Sequence, residues 1–281
     1  MQIVHTIEEI RRVIKEARRQ GKSVGLVPTM GYFHEGHASL MRQAKSDNDV
    51  VVVSIFVNPI QFGPSEDLDR YPRDLDRDAH IADQAGVDLI FNPLVAEMYP
   101  SDYNTYVDVE RITEPLCGAS RPGHFRGVAT VVLKLFNIVM PDRAYFGCKD
   151  FQQLKVIQRM VADLDVPVSI VPMPIVREPD GLAMSSRNAY LSAEERSAAL
   201  VLHRALDMAQ SIIGQSDMSP ERMAVRVREF IGKEPTAQIE YAEIVDAETL
   251  VPAESFDRDT LLALAVRIGK TRLIDNTLLK R

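Results

Sequence analysis

Two histidines three residues apart, His34 and His37, are the first side chains in the sequence whose types and spacing could do chemistry. They lie in the segment P-T-M-G-Y-F-H-E-G-H-A-S-L, residues 28–40, which follows a short apolar segment and precedes apolar residues at helical spacing. This pattern predicts a strand, a glycine-containing turn and the start of a helix. A helix N-terminus presents unpaired N–H groups and a positive dipole end, and imidazoles beside it can donate hydrogen bonds to phosphoryl oxygens. The segment therefore predicts a site for a nucleotide phosphate, which Gly36 would let approach the backbone closely.

Two other interpretations of this segment stay open from the residues alone. In the first, the histidines only cap and solvate an ordinary strand-to-helix turn. In the second they bind zinc, although zinc sites usually add a third ligand and the other four histidines form no second cluster. The spacing also differs from the H-E-x-x-H pattern of zinc hydrolases. We assign no metal ligand.

Asn58 and Gln61 follow the clearest strand in the sequence, D-V-V-V-V-S-I-F-V at 49–57. A strand that is apolar on both faces is typical of the centre of a parallel sheet covered by helices. Ligands of such sheets bind in loops past the carboxyl ends of the strands. Neutral amides at that place suit the hydroxyl and carboxylate groups of a small substrate, and the alternative is a solvated turn.

Lys149 stands between a predicted strand at 143–147 and a predicted helix at 151–164. A cation at such a turn could reach a phosphate. Asp150 and Gln153 have the N-cap and N3 spacing of a capping box, which is a sufficient structural explanation for both.

The tetrad Ser185-Ser186-Arg187-Asn188 follows a turn, R-E-P-D-G, at 177–181. Two hydroxyls and a guanidinium suit a polyphosphate, because arginine binds it through paired hydrogen bonds and keeps its charge. Alone the tetrad is a weak signal, since most such segments are ordinary loops.

Helices and strands alternate around these segments. Thr6 and Glu9 form a predicted capping box for a helix that ends at Gly21. Further helices are predicted at 74–85 and 128–140, and further strands at 87–91, 105–109 and 168–176. The helix at 128–140 is apolar almost all round, which indicates burial in the core or at a subunit interface. This alternation predicts an α/β fold with a Rossmann-like parallel sheet flanked by helices.

From Ser192 onward the pattern changes to two helices followed by strands. Ser192 and Glu195 predict the capped start of a long helix to about Gly214, and a second helix is predicted at 219–232. Strands are predicted at 239–245, 261–268 and 272–278. This order predicts a smaller C-terminal α+β domain, and we divide the chain into domains at 1–183 and 184–281.

Composition argues against several classes of function. The net charge of −7 opposes general nucleic-acid binding, and no apolar run approaches the length that spans a membrane. The first twenty residues lack the apolar centre of a secretory signal. Cys117 and Cys148 are too few for a disulfide framework, so a reducing, cytoplasmic location is expected.

Six motifs in order carry a resemblance to a known family. They are P-T-M-G-x-x-H-x-G-H from residue 28, V-S-I-F-V-N-P-x-Q-F from 53, Y-P-R from 71, G-H-F-R-G-V-A-T-V-V from 123, Y-F-G-x-K-D-x-Q-Q from 145 and R-E-x-D-G-L-A-M-S-S-R-N from 177. Together they resemble the pantoate–β-alanine ligases (pantothenate synthetases), a family of the HIGH-motif nucleotidyltransferase superfamily. Here H-E-G-H at 34–37 resembles the HIGH element, and M-S-S-R-N at 184–188 looks like the counterpart of the KMSKS loop.

The resemblance implies a two-step ligation. The carboxylate of pantoate attacks the α-phosphorus of Mg-ATP and gives pantoyl adenylate and pyrophosphate. The amine of β-alanine then attacks the acyl carbon, which releases AMP and pantothenate. The expected cofactors are ATP as a substrate and Mg²⁺, and the expected assembly is a homodimer.

The resemblance also assigns site residues. Catalytic roles fall to His34, His37, Lys149, Ser185, Ser186 and Arg187, and His37 is usually given the role of proton donor in this family. ATP contacts fall to Met30, Gly31, Tyr32, Phe33, His34, Glu35, Gly36, His37, Gly147, Cys148, Lys149, Asp150, Val176, Met184, Ser185, Ser186 and Arg187. Gln61 and Gln153 should hold pantoate. Cys148 departs from the glutamate expected there, which should change packing beside Lys149 and not abolish function.

Two other functions compete with ligation. A nucleotidyltransferase would stop at an adenylylated product and would not consume an amine. A catalytically silent nucleotide-binding protein would bind ATP without releasing AMP.

Overall fold

The computed structural model describes residues 1–64 and 66–280, so Ser65 in the charged run at 65–77 lies outside the described residues. Within this part of the chain, six parallel strands form one sheet in the order β1-β4-β3-β2-β5-β6. The strands are β1 Gln2–Val4, β2 Val24–Thr29, β3 Val50–Ile55, β4 Leu89–Phe91, β5 Arg143–Gly147 and β6 Ser169–Met173. The helices between them are α1 Ile7–Arg19, α2 Glu35–Asp47, α3 Leu75–Gln84, α4 Val95–Met98, α5 Cys117–Ser120, α6 His124–Val139 and α7 Phe151–Asp163. The predicted Rossmann-like sheet flanked by helices is confirmed.

The strand order reverses direction at β2. From β2 the chain builds outward through β3 and β4, and it later returns to place β5 and β6 on the opposite side of β2. The segments that follow β2, β3 and β5 therefore begin at one edge of the sheet, at a topological switch point where ligands of such sheets bind.

Burial explains the central strand and its neighbours. All six residues of β3 are buried, as a strand covered by helices on both faces requires. One core cluster joins β2, α2, β3 and α3 through side chains such as Val27, Phe33, Met41, Val53 and Ala82. Thr6 caps α1 and forms the predicted capping box with Glu9.

Helix α6 begins at His124, four residues before the predicted start at 128. Gly123 supplies the left-handed backbone, φ 83°, that turns the chain into the helix. Residues all along α6 are buried within this one chain, so its apolar circumference needs no second subunit to explain it.

The C-terminal part of the chain contains three antiparallel strands in the order β7-β8-β9. They are β7 Ala237–Asp246, β8 Thr260–Ile268 and β9 Thr271–Leu279, and the helices before them are α8 Ala193–Ala198, α9 Leu200–Ile212 and α10 Pro220–Ile231. Leu202, Leu206, Met223, Leu264 and Val266 belong to the core that joins helices and sheet. The predicted C-terminal α+β domain is thus confirmed in its elements.

Three local predictions are wrong. The segment 105–109 is no strand, because the backbone N–H of Val107 is bonded to the Thr130 hydroxyl, 3.0 Å away, and not to a neighbouring strand. The long helix predicted from Ser192 is two helices, α8 and α9, which meet at Ala199. The backbone N–H of Leu202 is bonded to the carbonyl of Ala199, three residues earlier, as in the tighter 3-10 helix. The Ser192–Glu195 capping box itself is present. The capping box predicted for Asp150 and Gln153 does not form, because neither side chain has a hydrogen-bond partner among the described residues and a 3-10 turn at Cys148–Asp150 leads into α7.

The chain separates into two compact units. The first comprises Met1–Val109, Arg121–Cys148 and Val156–Pro174, and the second comprises Glu110–Ser120, Lys149–Lys155 and the chain from Ile175 onward. The last change from the first unit to the second along the chain lies between Pro174 and Ile175. The domain boundary predicted at 183/184 remains a prediction. No helix among the described residues is long and apolar enough to cross a membrane.

Candidate active site

The turn between β2 and α2 is built around the two histidines. His34 is the N-cap of α2, and its Nδ1 accepts a hydrogen bond from the backbone N–H of Gly36 at 3.1 Å. His37 occupies the N3 position, and its Nδ1 accepts from the backbone N–H of His34 at 3.3 Å. The ring centroids lie 4.1 Å apart. The histidines thus form a capping box in which two imidazoles replace the usual hydroxyl and carboxylate.

This capping geometry fixes where the imidazole protons reside. A backbone N–H can only donate, so each Nδ1 must offer its lone pair. A neutral imidazole then carries its proton on Nε2, which makes Nε2 the donor on each ring. The structure therefore joins the two interpretations of the segment, because the rings cap the helix through one nitrogen and keep a donor on the other.

Asp78, which the sequence analysis missed, holds the same turn from α3. Its carboxylate accepts from the backbone N–H groups of Tyr32 and Phe33, both at 2.6 Å, and the residue is 1% exposed. Burial raises the pKa of Asp78 although the two N–H bonds act in the opposite direction. Gly31, with φ 85°, has no room for a side chain, because a Cβ would lie 2.9 Å from this carboxylate. The signal in the sequence was an acidic residue at helical spacing with Ala82 of α3 and with Ala85, which caps the end of that helix, both of them buried.

Gln61 is held in place after β3 by its neighbours. Asn58 donates from Nδ2 to Gln61 Oε1 at 3.0 Å and to the carbonyl of Gly127 at 3.1 Å. Tyr99 donates its hydroxyl proton to Asn58 Oδ1 at 2.9 Å. Gln61 Nε2 lies 3.1 Å from the sulfur of Met30, so the structure brings together these two predicted site residues. The solvated-turn alternative is wrong, because Asn58 and Gln61 are 1% and 8% exposed.

A second chain of contacts holds the backbone of Gln61. His124 Nδ1 donates to the carbonyl of Gln61 at 2.8 Å, and Arg121 lies 3.1 Å from His124 Nε2. Arg121 also forms a two-point ion pair with Glu66 at 2.7 and 2.5 Å. Burial tends to raise the pKa of Glu66, but the hydrogen bonds and charge of Arg121 outweigh it and lower the pKa. The motif G-H-F-R-G marked this loop in the sequence without revealing these partners.

Gly147 and Cys148 complete the predicted site residues of the first unit, at the end of β5. Burial raises the pKa of the Cys148 thiol, so this side chain is neutral near pH 7.

Lys149, Asp150 and Gln153 belong to the second unit. Lys149 is half-buried, and its ammonium has no ion-pair or hydrogen-bond partner among residues 1–64 and 66–280. The side chain of Gln153 likewise has no hydrogen-bond partner in the described chain. Its neighbour Gln152 differs, because it is buried and bonded to the backbone at Ile112, Pro115 and Cys117. Gln152 is therefore structural, whereas no described residue uses the side-chain amide of Gln153.

Val176 and Met184–Arg187, also in the second unit, belong to a small hairpin. Its two sides are joined by backbone hydrogen bonds from Met184 to Val176 and from Glu178 to Leu182, at 3.0 and 2.8 Å. Ser185 caps the following 3-10 turn by accepting from the backbone N–H of Arg187, and Ser186 is buried. Ser185, Ser186 and Arg187 follow the hairpin in consecutive positions, and hydroxyls and a guanidinium are groups that suit a phosphate.

No cluster of three or more histidine, cysteine or acidic side chains that could hold a metal ion occurs within the described residues. The predicted site residues include the imidazoles of His34 and His37 in the first unit and the cations Lys149 and Arg187 in the second. Such groups can stabilise negative charge on a phosphate.

Comparisons with known proteins agree with this chemistry. The family model described as Pantoate-beta-alanine ligase matches residues 2–278. The chain is 58% identical over 279 residues to the pantothenate synthetase of Geobacter sulfurreducens, with 99% of both chains covered. Its fold matches the solved pantothenate synthetase of Thermus thermophilus with a TM-score of 0.94 and 49% identity, covering 99% of both chains.

A third relative was solved with ligands. The pantoate-beta-alanine ligase of Francisella tularensis, complexed with beta-gamma ATP and beta-alanine, matches with a TM-score of 0.83 and 35% identity, covering 99% of this chain and 97% of that one. The family model and the high identity over the full length establish that this chain belongs to the pantoate–β-alanine ligase (pantothenate synthetase) family.

Proposed function

We propose that the residues described above carry out the ligation of this family, the ATP-dependent condensation of pantoate with β-alanine through pantoyl adenylate. The observation that supports this assignment best is the capping pair of His34 and His37, whose Nδ1 atoms face the backbone and leave Nε2 as the proton-bearing donor. Two such donors at a helix N-terminus suit an oxyanion of phosphate.

In the first step, a carboxylate oxygen of pantoate attacks the α-phosphorus of ATP. The bond from that phosphorus to the bridging oxygen breaks, and pyrophosphate leaves with the electron pair. Negative charge builds on the phosphate oxygens, and catalysis consists mainly of positioning and of donors aimed at that charge. His34, His37 and Lys149 are assigned to this task, together with Ser185, Ser186 and Arg187.

In the second step, the neutral amine of β-alanine attacks the acyl carbon of the adenylate. The bond between that carbon and the phosphate oxygen breaks, AMP leaves, and the nitrogen loses a proton as the amide forms. AMP is a stable anion, so this step places less demand on donors around the phosphate than the first step does.

The remaining assignments concern binding. ATP contacts Met30–His37, Gly147–Asp150, Val176 and Met184–Arg187, and pantoate is held through the amides of Gln61 and Gln153. The support for Gln61 is its fixed amide, which Asn58 orients, and the support for Gln153 is an amide with no partner among the described residues. An amide can bind both the hydroxyl and the carboxylate of pantoate.

We propose that Mg²⁺ enters the site bound to ATP. The ion would be held largely by ATP phosphates and water, as is common for Mg²⁺. It would supply charge neutralisation at the phosphates, and Lys149 and Arg187 add to that neutralisation.

We also propose that the chain works in the cytoplasm as a homodimer. Its two cysteines are too few for a disulfide framework, which suits a reducing compartment. The homodimer is proposed from the family resemblance alone. Helix α6 does not support it, because its apolar side chains are buried within the chain. Sedimentation as a monomer at micromolar concentration would contradict it.

The decisive assay measures AMP formed from ATP. We expect AMP release to require both pantoate and β-alanine, while pyrophosphate formation requires pantoate alone. Pyrophosphate formation without any consumption of β-alanine would instead identify an enzyme that stops at the adenylate.

A further inference from the structure

Two consecutive residues of β9, Asp275 and Asn276, are buried polar side chains that the proposed chemistry does not use. They are 2% and 7% exposed. Burial of a carboxylate and an amide is costly unless both are hydrogen-bonded, so their partners explain their presence.

Asn276 holds the backbone of Lys149. Its Nδ2 donates to the carbonyl oxygen of Lys149 at 2.9 Å, across 127 residues of sequence. Lys149 lies in the short 3-10 turn Cys148–Asp150, and its ammonium has no partner within the described chain. Because this long, flexible side chain has no partner to orient it, the position of the Lys149 backbone decides which region the ammonium can reach.

Asp275 contacts the hairpin that precedes Ser185–Arg187. Its carboxylate forms a two-point ion pair with Arg177, at 2.6 and 2.9 Å. Arg177 also donates to the carbonyl of Gly181 at 3.0 Å and pairs with Ala183 across the hairpin. The carboxylate of Asp275 additionally accepts from the backbone N–H of Asn276 at 2.8 Å, which links the two contacts directly.

Successive side chains of a strand point to opposite faces of its sheet, so β9 presents one contact on each face. We propose that Asp275 and Asn276 are positioning residues for adenylation, and that β9 sets the places of Lys149 and of the Ser185–Arg187 turn relative to each other. This inference rests on the proposed role of Lys149 and Arg187 in adenylation.

The test is a pair of double-mutant cycles read by single-turnover pyrophosphate release from ATP and pantoate. We expect Asn276→Ala to slow release about 5- to 100-fold in the otherwise unchanged enzyme, and less than about twofold in a Lys149→Ala background, as coupled residues do. Asp275→Asn, which keeps size and shape, should likewise lose most of its effect in an Arg187→Ala background. Thr277→Ala, a small polar residue next along β9, is the matched control and should leave release unchanged.

The outcomes separate this inference from the proposed function. If each β9 substitution slows release by the same factor in both backgrounds, its effect is general and the positioning role is wrong. If Lys149→Ala and Arg187→Ala do not slow release at all, the proposed function of those residues fails instead. Should Asn276→Ala not fold, the isosteric Asp275→Asn cycle decides alone, with additivity overturning the proposal.

Discussion

A histidine can serve a helix and a ligand at the same time, because it has two ring nitrogens. At His34 and His37 the backbone contacts consume the Nδ1 lone pairs. An imidazolium has no lone pair, so double protonation of either ring would break its capping bond. The capping bonds therefore need an Nδ1 without a proton, and a proton on Nε2 gives each ring one donor.

Gln152 and Gln153 offer a comparison between neighbouring glutamines. Gln153→Ala should weaken pantoate binding and leave ATP binding nearly intact, because it removes one or two hydrogen bonds worth about 1.5–3 kcal/mol each to a charged partner. Gln61→Ala should act in the same direction, with some loss of stability because Asn58 loses an acceptor. Titration calorimetry with each ligand measures both effects.

Gln152→Ala is the matched control for this prediction. Since Gln152 is bonded to three backbone groups, its loss should lower the free energy of unfolding and spare pantoate affinity. Loss of ATP affinity with unchanged pantoate affinity in Gln153→Ala would contradict the assignment.

Single residues with local signals could be predicted, and those with distant partners could not. The histidines, Gln61 and Lys149 each follow a strand, and that position is visible in the hydrophobic pattern. Asp78 reaches back 45 residues to Phe33, and His124 reaches back 63 residues to Gln61. No periodicity encodes such pairs, so only the fold reveals that these residues position the site.

At the scale of elements, α6 approaches the 3-10 turn Pro59–Gln61 without space for a side chain at Gly127. A Cβ there would lie 2.5 Å from the carbonyl oxygen of Ile60 and 2.7 Å from the backbone nitrogen of Gln61. Gly127→Ala must therefore displace that turn, and we expect it to weaken pantoate binding while ATP affinity persists. Calorimetry with both ligands is again the measurement.

Gly214→Ala is the control for this substitution, because nothing lies within 4 Å of the added carbon. Normal pantoate affinity in Gly127→Ala would show that the turn tolerates the shift and that the contact does not position Gln61.

The segment 178–190, which includes part of the hairpin and the 3-10 turn Ser186–Tyr190, should become more ordered when ATP binds, because its hydroxyls and guanidinium then gain phosphate partners. We expect slower hydrogen exchange across this segment with ATP and unchanged exchange in α9, Leu200–Ile212. Equal exchange with and without ATP would mean that the hairpin is already fixed.

The sequence predicted elements best where their pattern was long and continuous. Strand β3 and helix α1 are apolar at regular spacing, whereas 105–109 alternates like a strand but finds its hydrogen-bond partner in the side chain of Thr130. Helix α6 starts early because Gly123 and the loop before it, and not apolar periodicity, set its first turn.

At the scale of the whole molecule, the half-buried ion pair of Glu240 and Arg272 links stability to pH. Burial tends to raise the pKa of Glu240, but the hydrogen bonds and charge of Arg272 outweigh it and hold the pKa below its usual range. Between the native and ordinary carboxyl pKa values the unfolded chain binds more protons, so this stabilisation is present above about pH 4.3 and is lost as the pH falls further.

Glu240→Gln should therefore lower the free energy of unfolding at neutral pH, by about 1.5–3 kcal/mol, and make its decline in acid shallower. Denaturant unfolding measured from about pH 3 to about pH 7, which brackets the carboxyl pKa values, checks both effects. Glu243→Gln on the same strand, which has no ion pair within the described residues, is the control. A parallel pH dependence in Glu240→Gln and the unchanged protein would contradict the linkage.

The central claim is that His34, His37 and Lys149 act on the phosphate during adenylation. The most direct measurement is rapid-quench kinetics of both half-reactions in Lys149→Ala: pyrophosphate release from ATP and pantoate, and consumption of supplied pantoyl adenylate by β-alanine. We predict that the first slows by about 10²–10³-fold, as for a lost donor to a developing oxyanion, and that the second slows far less. Normal adenylation with failure to consume the adenylate would contradict the account, because Lys149 would then serve amide formation.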